Sequence, residues 1–375
     1  MYTVFQKSVK RNHGRRVSEN KYTNVLRAPH HVALDITNKC NLRCLHCYNS
    51  SGENEVMHDE LTSDELFVFA KEMADMSLYS MCFCGGETLL RSKDILRCLP
   101  ILRDGNVAAS LVTNGLLLTE SLLRDLEDSG LKSIQFSLDG IGSAHDRLRG
   151  HEGAFEIVEE AVATVLNHSD LHLAIAFTPT SFNTEQFPDV ISLLDEIFTK
   201  SNRPKRTPGD FIELRVQPLM VLGRARKNTF IRPDYSQYRT LIHTIQEDDF
   251  LRKHPNVRPQ WGDPVDHLIR FSDNRYLLDQ VSVHANGDIV VSPYIPLVVG
   301  NIRNHPLEDY WNNGLSSIWS TKLVQDLCNH MWTIDDMERM SDTICDIDMG
   351  GDLHVDLIDD TADELLNSSL KEMLG

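Results

Sequence analysis

Short apolar or β-branched runs alternate along the first two thirds of the chain with longer stretches whose apolar residues recur at helical spacing. VALDI at 32–36 leads to LTSDELFVFAKEMADM at 61–76, and YSMCFC at 79–84 leads to a helix near 92–104. VAASLVT at 107–113 precedes a helix near 119–129, KSIQFSL at 132–138 one near 153–167, and LHLAIAF at 171–177 one near 184–199. FIELRVQP at 211–218 closes the series. Short β-branched runs read as strands and the longer periodic pieces as helices. Six strands with intervening helices predict a parallel α/β sheet, because parallel neighbours need crossovers and helices usually supply them. Six are too few for a closed eight-strand barrel. An open partial barrel and a doubly wound sheet both fit, and in either the ligands bind beyond the C-terminal strand ends.

Further along, the rhythm changes. VSVHANGDIVVSPY at 281–294 alternates around an Asn-Gly turn, a hairpin pattern, and VVGNIRNHPLEDYWNN at 298–313 follows it into a helix. The 41% apolar content of 375 residues supports one large domain with an appendage, or two ordinary domains. Acidic residues outnumber basic ones by 55 to 37, a net charge of −18, which argues against general binding to nucleic-acid backbones. KSVKRNHGRR near the N-terminus is basic and 335–375 strongly acidic, so the two ends either attract each other or are simply solvated. No apolar run approaches the ~18 residues of a membrane span, and residues 1–30 lack the apolar stretch of a secretory signal. The expected compartment is the cytoplasm, where thiols stay reduced. The eight cysteines are then free, metal-bound or catalytic rather than paired.

Polar clusters follow the strands: three cysteines after the first, GGE at 85–87 after the second, TNG at 113–115 after the third, and SLDG at 137–140 running into HDRLRG at 145–150 after the fourth. All four sit on one rim of the expected sheet, and their convergence weighs more than any one pattern alone. The cysteines, Cys40, Cys44 and Cys47, lie within TNKCNLRCLHCYNSSG. Buried thiols, a zinc ion with His46 or His31 as fourth ligand, and an iron–sulfur cluster all fit such a loop. Structural zinc sites usually draw ligands in two separated pairs, and no second pair is visible. Four cysteines normally hold a cubane cluster. Three would leave one iron open to a substrate or cofactor.

CNLRCLHCY in a C-x3-C-x2-C frame, with GGE after the next strand, resembles the radical S-adenosylmethionine (radical SAM) enzymes, especially those with a SPASM or twitch C-terminal extension. The likeness runs through SLDG, HDRLRG, SFNTEQFPDVISLLDEI and LRVQPLMVLGRA, over roughly 31–227. It implies a partial (β/α)6 TIM-like barrel with a smaller α+β twitch-like extension, divided as an N-terminal extension 1–30, a core 31–230 and a C-terminal domain 231–375 with an acidic tail. It implies one [4Fe–4S] cluster on Cys40, Cys44 and Cys47, with S-adenosylmethionine chelating the fourth iron. Reductive cleavage would then give a 5′-deoxyadenosyl radical that abstracts hydrogen from substrate, the cofactors carrying the hard chemistry. Gly85 and Gly86 permit close backbone approach, and Glu87 offers a carboxylate to the methionine ammonium. Relatives usually have proline where Thr88 stands. By the same resemblance Asn114 and Ser137 face the nucleoside or ribose, Arg149 pairs with the cofactor carboxylate, and His46 and Tyr48 pack near the adenine. For each of these, turn-forming or packing roles compete.

Cys82 and Cys84 fall on one face of a strand and, like Cys98, read as buried packing. Ser292 occupies the hairpin position where relatives place an auxiliary-cluster cysteine, so that cluster is expected to be lost. A redox-neutral reaction then becomes attractive, with Cys328 or Cys345 as a candidate hydrogen donor. The implied partners are a peptide or small-molecule substrate and an external electron donor such as flavodoxin or ferredoxin, with neither nucleic acid nor membrane. Peptide maturation leads; a sugar or small metabolite, or a noncatalytic cluster-binding accessory role, stands as the alternative.

Overall fold

All six expected strands form: β1 (His31–Thr37), β2 (Ser80–Gly85), β3 (Ala108–Thr113), β4 (Leu131–Ser137), β5 (His172–Phe177) and β6 (Ile212–Val216). The structure, a computed structural model, describes residues 26–52, 59–202, 210–262, 280–347, 353–358 and 362–368. The basic N-terminal segment lies outside these residues, as does part of the acidic tail. The strands run parallel in sequence order and are joined by α1 (Ser63–Asp75), α2 (Ser92–Asp104), α3 (Glu120–Ser129), α4 (Ser143–Arg149), α5 (Ala154–His168) and α6 (Phe187–Lys200). This is the α/β parallel sheet of a partial TIM barrel.

Alternation decides which face of each strand meets the helices. In β1, Val32, Leu34 and Ile36 are fully buried against the helix layer, while His31, Ala33 and Asp35 point the other way, into the barrel. α1 starts where Thr62 and Glu65 form a capping box, the Thr62 hydroxyl accepting from the Glu65 N–H and the Glu65 carboxylate accepting from the Thr62 N–H.

Two more parallel strands go beyond the expected six. After α7 (Arg224–Lys227), α8 (Tyr235–Gln246) and α9 (Asp248–Lys253), β7 (Val257–Trp261) pairs with β6. Its sequence, VRPQW, carries a proline that obscures the strand pattern; Pro259 is tolerated because β7 edges the sheet. On the opposite side, β8 (Gln280–Val283) pairs parallel with β1, His31 level with Gln280 and Leu34 with Val283. β8 is also the first strand of the expected hairpin, whose second strand is β9 (Asp288–Ser292). With β10 (Ile295–Asn301) and β11 (Leu353–His354) the sheet reaches eleven strands among the described residues. The hairpin therefore continues the barrel sheet. α10 (Leu307–Asn312), α11 (Lys322–Asn329) and α12 (Ile334–Ile347) follow, and Tyr310, Trp311 and Leu327 join the same apolar core as the barrel helices.

Candidate active site

The loop after β1 is tied closed before it reaches any ligand. Asn38 accepts from Ser51 Oγ at 2.9 Å through its side chain, and its carbonyl accepts from the Gly52 N–H at 2.9 Å. Glu60 accepts from the Thr37 hydroxyl at 2.9 Å and from the Asn38 N–H at 2.7 Å. Cys40, Cys44 and Cys47 thus sit on a braced loop, close enough for the charge on each of the other two to raise the Cys40 thiol. Burial is the larger cause and carries Cys40 up to about 11; burial also raises Cys44. Iron binding must therefore displace protons, as thiolates are the ligands.

GGE packs directly onto this loop. The Gly86 N–H donates to Thr37 O and the Glu87 N–H to Lys39 O, both at 2.8 Å. A Cβ on Gly86 would overlap the Lys39 carbonyl, so what approaches this glycine is the cysteine loop itself. Glu87 is fully buried: Oε1 accepts from Thr113 Oγ1 at 2.6 Å and from the Leu89 N–H at 3.0 Å, and Oε2 accepts from the Asn114 N–H at 2.9 Å. Burial raises its pKa even so. Asn114 in turn donates to Asn41 Oδ1 at 2.8 Å, inside the cysteine frame. Thr88, where relatives have proline, donates its hydroxyl to Val112 O at 2.7 Å and stitches the turn to β3.

After β4, Ser137 is half-buried at the strand end and Asp139 is fully buried. Asp139 Oδ1 accepts from the Thr178 N–H at 2.8 Å, while Oδ2 forms an ion pair with Arg149 and lies 3.5 Å from His46 Nε2. Burial alone would raise its pKa, but the Arg149 charge and both histidines hold it below the usual range. Arg149 also donates toward Cys44 Sγ at 3.7 Å. The expected partner of Arg149 was a cofactor carboxylate; here it bridges an aspartate and a cluster-loop thiol. Tyr48 is 48% exposed, its backbone held against Gly223.

Several site residues escaped the sequence reading. Asp139 is the hub that Arg149 and His46 share. Arg224, in the GRA segment after β6, is buried and donates Nε to Cys44 O at 2.8 Å and a terminal N–H to Ser51 O at 3.0 Å; its own backbone N–H reaches Cys47 O at 2.9 Å. Asn228 adds a bond to Leu45 O at 3.1 Å. The signal for this clamp was the single arginine of GRA at the end of LRVQPLMVLGRA, a stretch within the family likeness that carried no assigned role.

Cys328 departs from expectation. It is 1% exposed on α11, enclosed by apolar side chains, and burial pushes its thiol up to about 12. That is a packing position in the apolar core. Cys345 lies outside the described side chains. Cys98 is buried as expected, its thiol toward Leu66 O between α1 and α2. Cys82 and Cys84 are instead half-buried on the inner face of β2. Among the described residues, a cavity of about 390 Å³ beside β9, β10 and β11, lined by Asp288, Asn301, Arg303, His354 and Asp356 among others, includes no residue of the four motifs.

His145 gives a pH test. The Asp139 N–H donates to its Nδ1 at 3.0 Å, which requires the neutral ring, and burial, then the Arg149 charge, pushes its pKa from 6.5 down to about 4. The unfolded chain binds this proton first. Stability from His145 is therefore complete above pH 6.5 and is lost as pH falls toward about 4, by up to about 1.4 kcal/mol per pH unit. Urea midpoints of the full chain should fall between pH 7 and pH 5, and His145→Gln should flatten that slope; an unchanged slope would contradict the assignment.

The donor set fits an iron–sulfur cluster with an anionic ligand beside it. Three thiols share one loop, and Arg149 Nε and His46 Nδ1 are buried without a hydrogen-bond partner among the described residues, next to Cys44 and Asp139. Among the described residues no three His, Cys, Asp or Glu side chains gather around a single-ion position.

Residues 34–194 match the radical SAM superfamily profile. Over 304 residues, 76% of this chain and 83% of the relative, the chain is 26% identical to the AdoMet-dependent heme synthase of Methanosarcina barkeri. It is 25% identical over 296 residues to the PqqA peptide cyclase of Xanthomonas euvesicatoria, covering 76% of this chain and 75% of that one. Several further relatives are matched over less than half of their own length. Among solved structures, SuiB of Streptococcus suis bound to S-adenosylmethionine superposes with a TM-score of 0.61 at 18% identity, over 87% of this chain and 75% of SuiB. The SuiB structure with its precursor peptide SuiA gives the same score. That likeness is one of fold.

Proposed function

We propose, on the premise that residues 34–194 match the radical SAM superfamily, whose enzymes use a [4Fe–4S] cluster and S-adenosylmethionine, an enzyme that holds one cluster on Cys40, Cys44 and Cys47 and modifies a peptide. When bound, these cofactors supply a 5′-deoxyadenosyl radical that removes a hydrogen atom from substrate.

The chain's own residues do the rest. Arg224 and Asn228 hold the carbonyls of the cysteine loop, fixing where the thiolates stand. Glu87, with no basic side chain among its hydrogen-bond partners, is the group we assign to the methionine ammonium. Gly85, Gly86, Asn114, Ser137, Arg149, His46 and Tyr48 are assigned to the same ligand, and Asp139 positions Arg149 and His46. The observation that carries the reading is that the cysteine loop, GGE and TNG interlock through hydrogen bonds on one barrel rim, and that Asp139 of SLDG joins them through its ion pair with Arg149, which also donates toward Cys44. No helix of the described residues is long and apolar enough to cross a membrane. An external low-potential carrier such as flavodoxin or ferredoxin would deliver the electron.

We read the C-terminal part as a twitch-like extension that has lost its auxiliary cluster. Ser292 is buried at the end of β9, its hydroxyl accepting from the Tyr294 N–H at 3.3 Å. The peptide substrate is supported by the peptide cyclase relative and the precursor-bound fold neighbour. A tetrapyrrole is the second reading, favoured by the longer match to the heme synthase.

Anaerobic reconstitution tests the proposal. It should give about four iron and four sulfide per chain and 5′-deoxyadenosine on reduction. Iron near twice that value would restore an auxiliary cluster, and cluster assembly with no cofactor cleavage would sink the enzyme.

A further inference from the structure

We propose that Cys82 and Cys84 form a dithiol inside the barrel that gives a hydrogen atom to a carbon-centred radical held there, a step that rests on the function proposed above. The thiols occupy the inner face of β2. Between and before them, Phe83 and Met81 are 1% exposed and pack outward into the helix layer, whereas both cysteines keep solvent exposure. Cys84 donates its thiol hydrogen toward Cys82 Sγ at 3.4 Å. Cys82 is level with Ser110 of β3, on the inward face that also carries Gln135 of β4 and Arg215 of β6, where Arg215 donates to Gln135 Oε1 at 2.9 Å.

The surroundings suit proton and hydrogen transfer. Cys84 is level with Asp35 in the β1–β2 register, and Asp35 Oδ2 lies 3.1 Å from His284 Nδ1. Gly85, Gly86 and Glu87 follow Cys84 directly, so this thiol stands immediately below the strip assigned to the cofactor. Cys98 and Cys328, enclosed in apolar core, have no such access.

The chemistry balances with one named co-reactant. A carbon radical takes hydrogen from Cys84: a C–H bond forms, the S–H bond breaks, and the odd electron passes to sulfur. That sulfur bonds to Cys82 as the second thiol's proton leaves through Asp35 and His284. The surplus electron goes to the oxidised form of a low-potential flavin or iron–sulfur carrier. In sum, two S–H bonds are replaced by one C–H and one S–S bond, with one proton and one electron released. Residues i and i+2 of a strand lie roughly 6.6 Å apart, near the upper limit that a disulfide spans. Such a bridge is readily reduced, as a turnover thiol requires.

Two measurements test this. In the first, the full chain is equilibrated anaerobically in glutathione buffers of graded poise, alkylated and analysed by mass spectrometry. A Cys82–Cys84 bridge is expected, and its absence at every poise would overturn the proposal. The second uses S-adenosylmethionine alone as probe, with the reconstituted enzyme in D2O, so that the nucleoside radical takes the place of a substrate radical. The 5′-deoxyadenosine should carry one deuterium from the exchanged thiol while two alkylatable thiols disappear. In Cys84→Ser the deuterated fraction, whatever the yield, should fall at least five-fold, and in Cys82→Ser it should persist without a bridge forming. An unchanged fraction in Cys84→Ser overturns the dithiol alone. No 5′-deoxyadenosine from the unsubstituted enzyme overturns the proposed function and this step with it.

Discussion

A Cys44→Ala chain should assemble no stable [4Fe–4S] cluster and release no 5′-deoxyadenosine above background. Outer-shell losses at metal sites already cost about 10–100-fold, and Cys44 is a proposed ligand on which the surrounding structure converges. Its thiol meets Arg149 at 3.7 Å and its carbonyl is held by Arg224 at 2.8 Å. Alanine keeps the carbonyl that Arg224 holds but removes the sulfur, so Arg149 loses its contact there and no neighbouring side chain supplies another thiolate. Cys98→Ala, in the helix layer, should leave iron content unchanged. Visible absorption and iron content of the two reconstituted variants decide the matter: a full cluster in Cys44→Ala would refute the ligand assignment.

Asp139→Ala should be the most destabilising change on the rim. Asp139 is fully buried, and its removal leaves the buried Arg149 guanidinium without its carboxylate. Breaking a buried ion pair from one side typically costs about 3–5 kcal/mol, because the surviving charge stays desolvated. The Thr178 N–H loses its acceptor as well. Urea unfolding should show the loss, and Asp139→Ala combined with Arg149→Met should recover much of it, since the stranded charge is gone. Equal stability of the single and double variants would show that the pair carries no such penalty.

The strand and helix rhythm was legible because each β strand of the barrel has one strongly apolar face, and the intervening helices repeat the signal. What stayed hidden was of three kinds. β7 was missed because Pro259 breaks the apolar run, although an edge strand tolerates it. Asp139 and Arg224 were missed because they act on partners far along the chain, Arg224 through carbonyl groups that every residue carries. Alternation correctly put Cys82 and Cys84 on one face of a strand. It could not say which face, and in an open barrel only one of the two is packed by helices. The cysteine frame and GGE were readable for the opposite reason: their residue types are rare, their spacing is tight and they fall at strand ends.

β8 lies against the free side of β1, the strand that leads into the cysteine loop, with four residue pairs in register from His31–Gln280 to Leu34–Val283. A barrel expressed without the residues after 262 would bare that side of β1 as a row of unpaired N–H and C=O groups along an apolar strand. Exposed edges of this kind recruit other chains. The hairpin thus acts as an edge guard, and the truncated barrel should self-associate before the chemistry of its loop can be assayed.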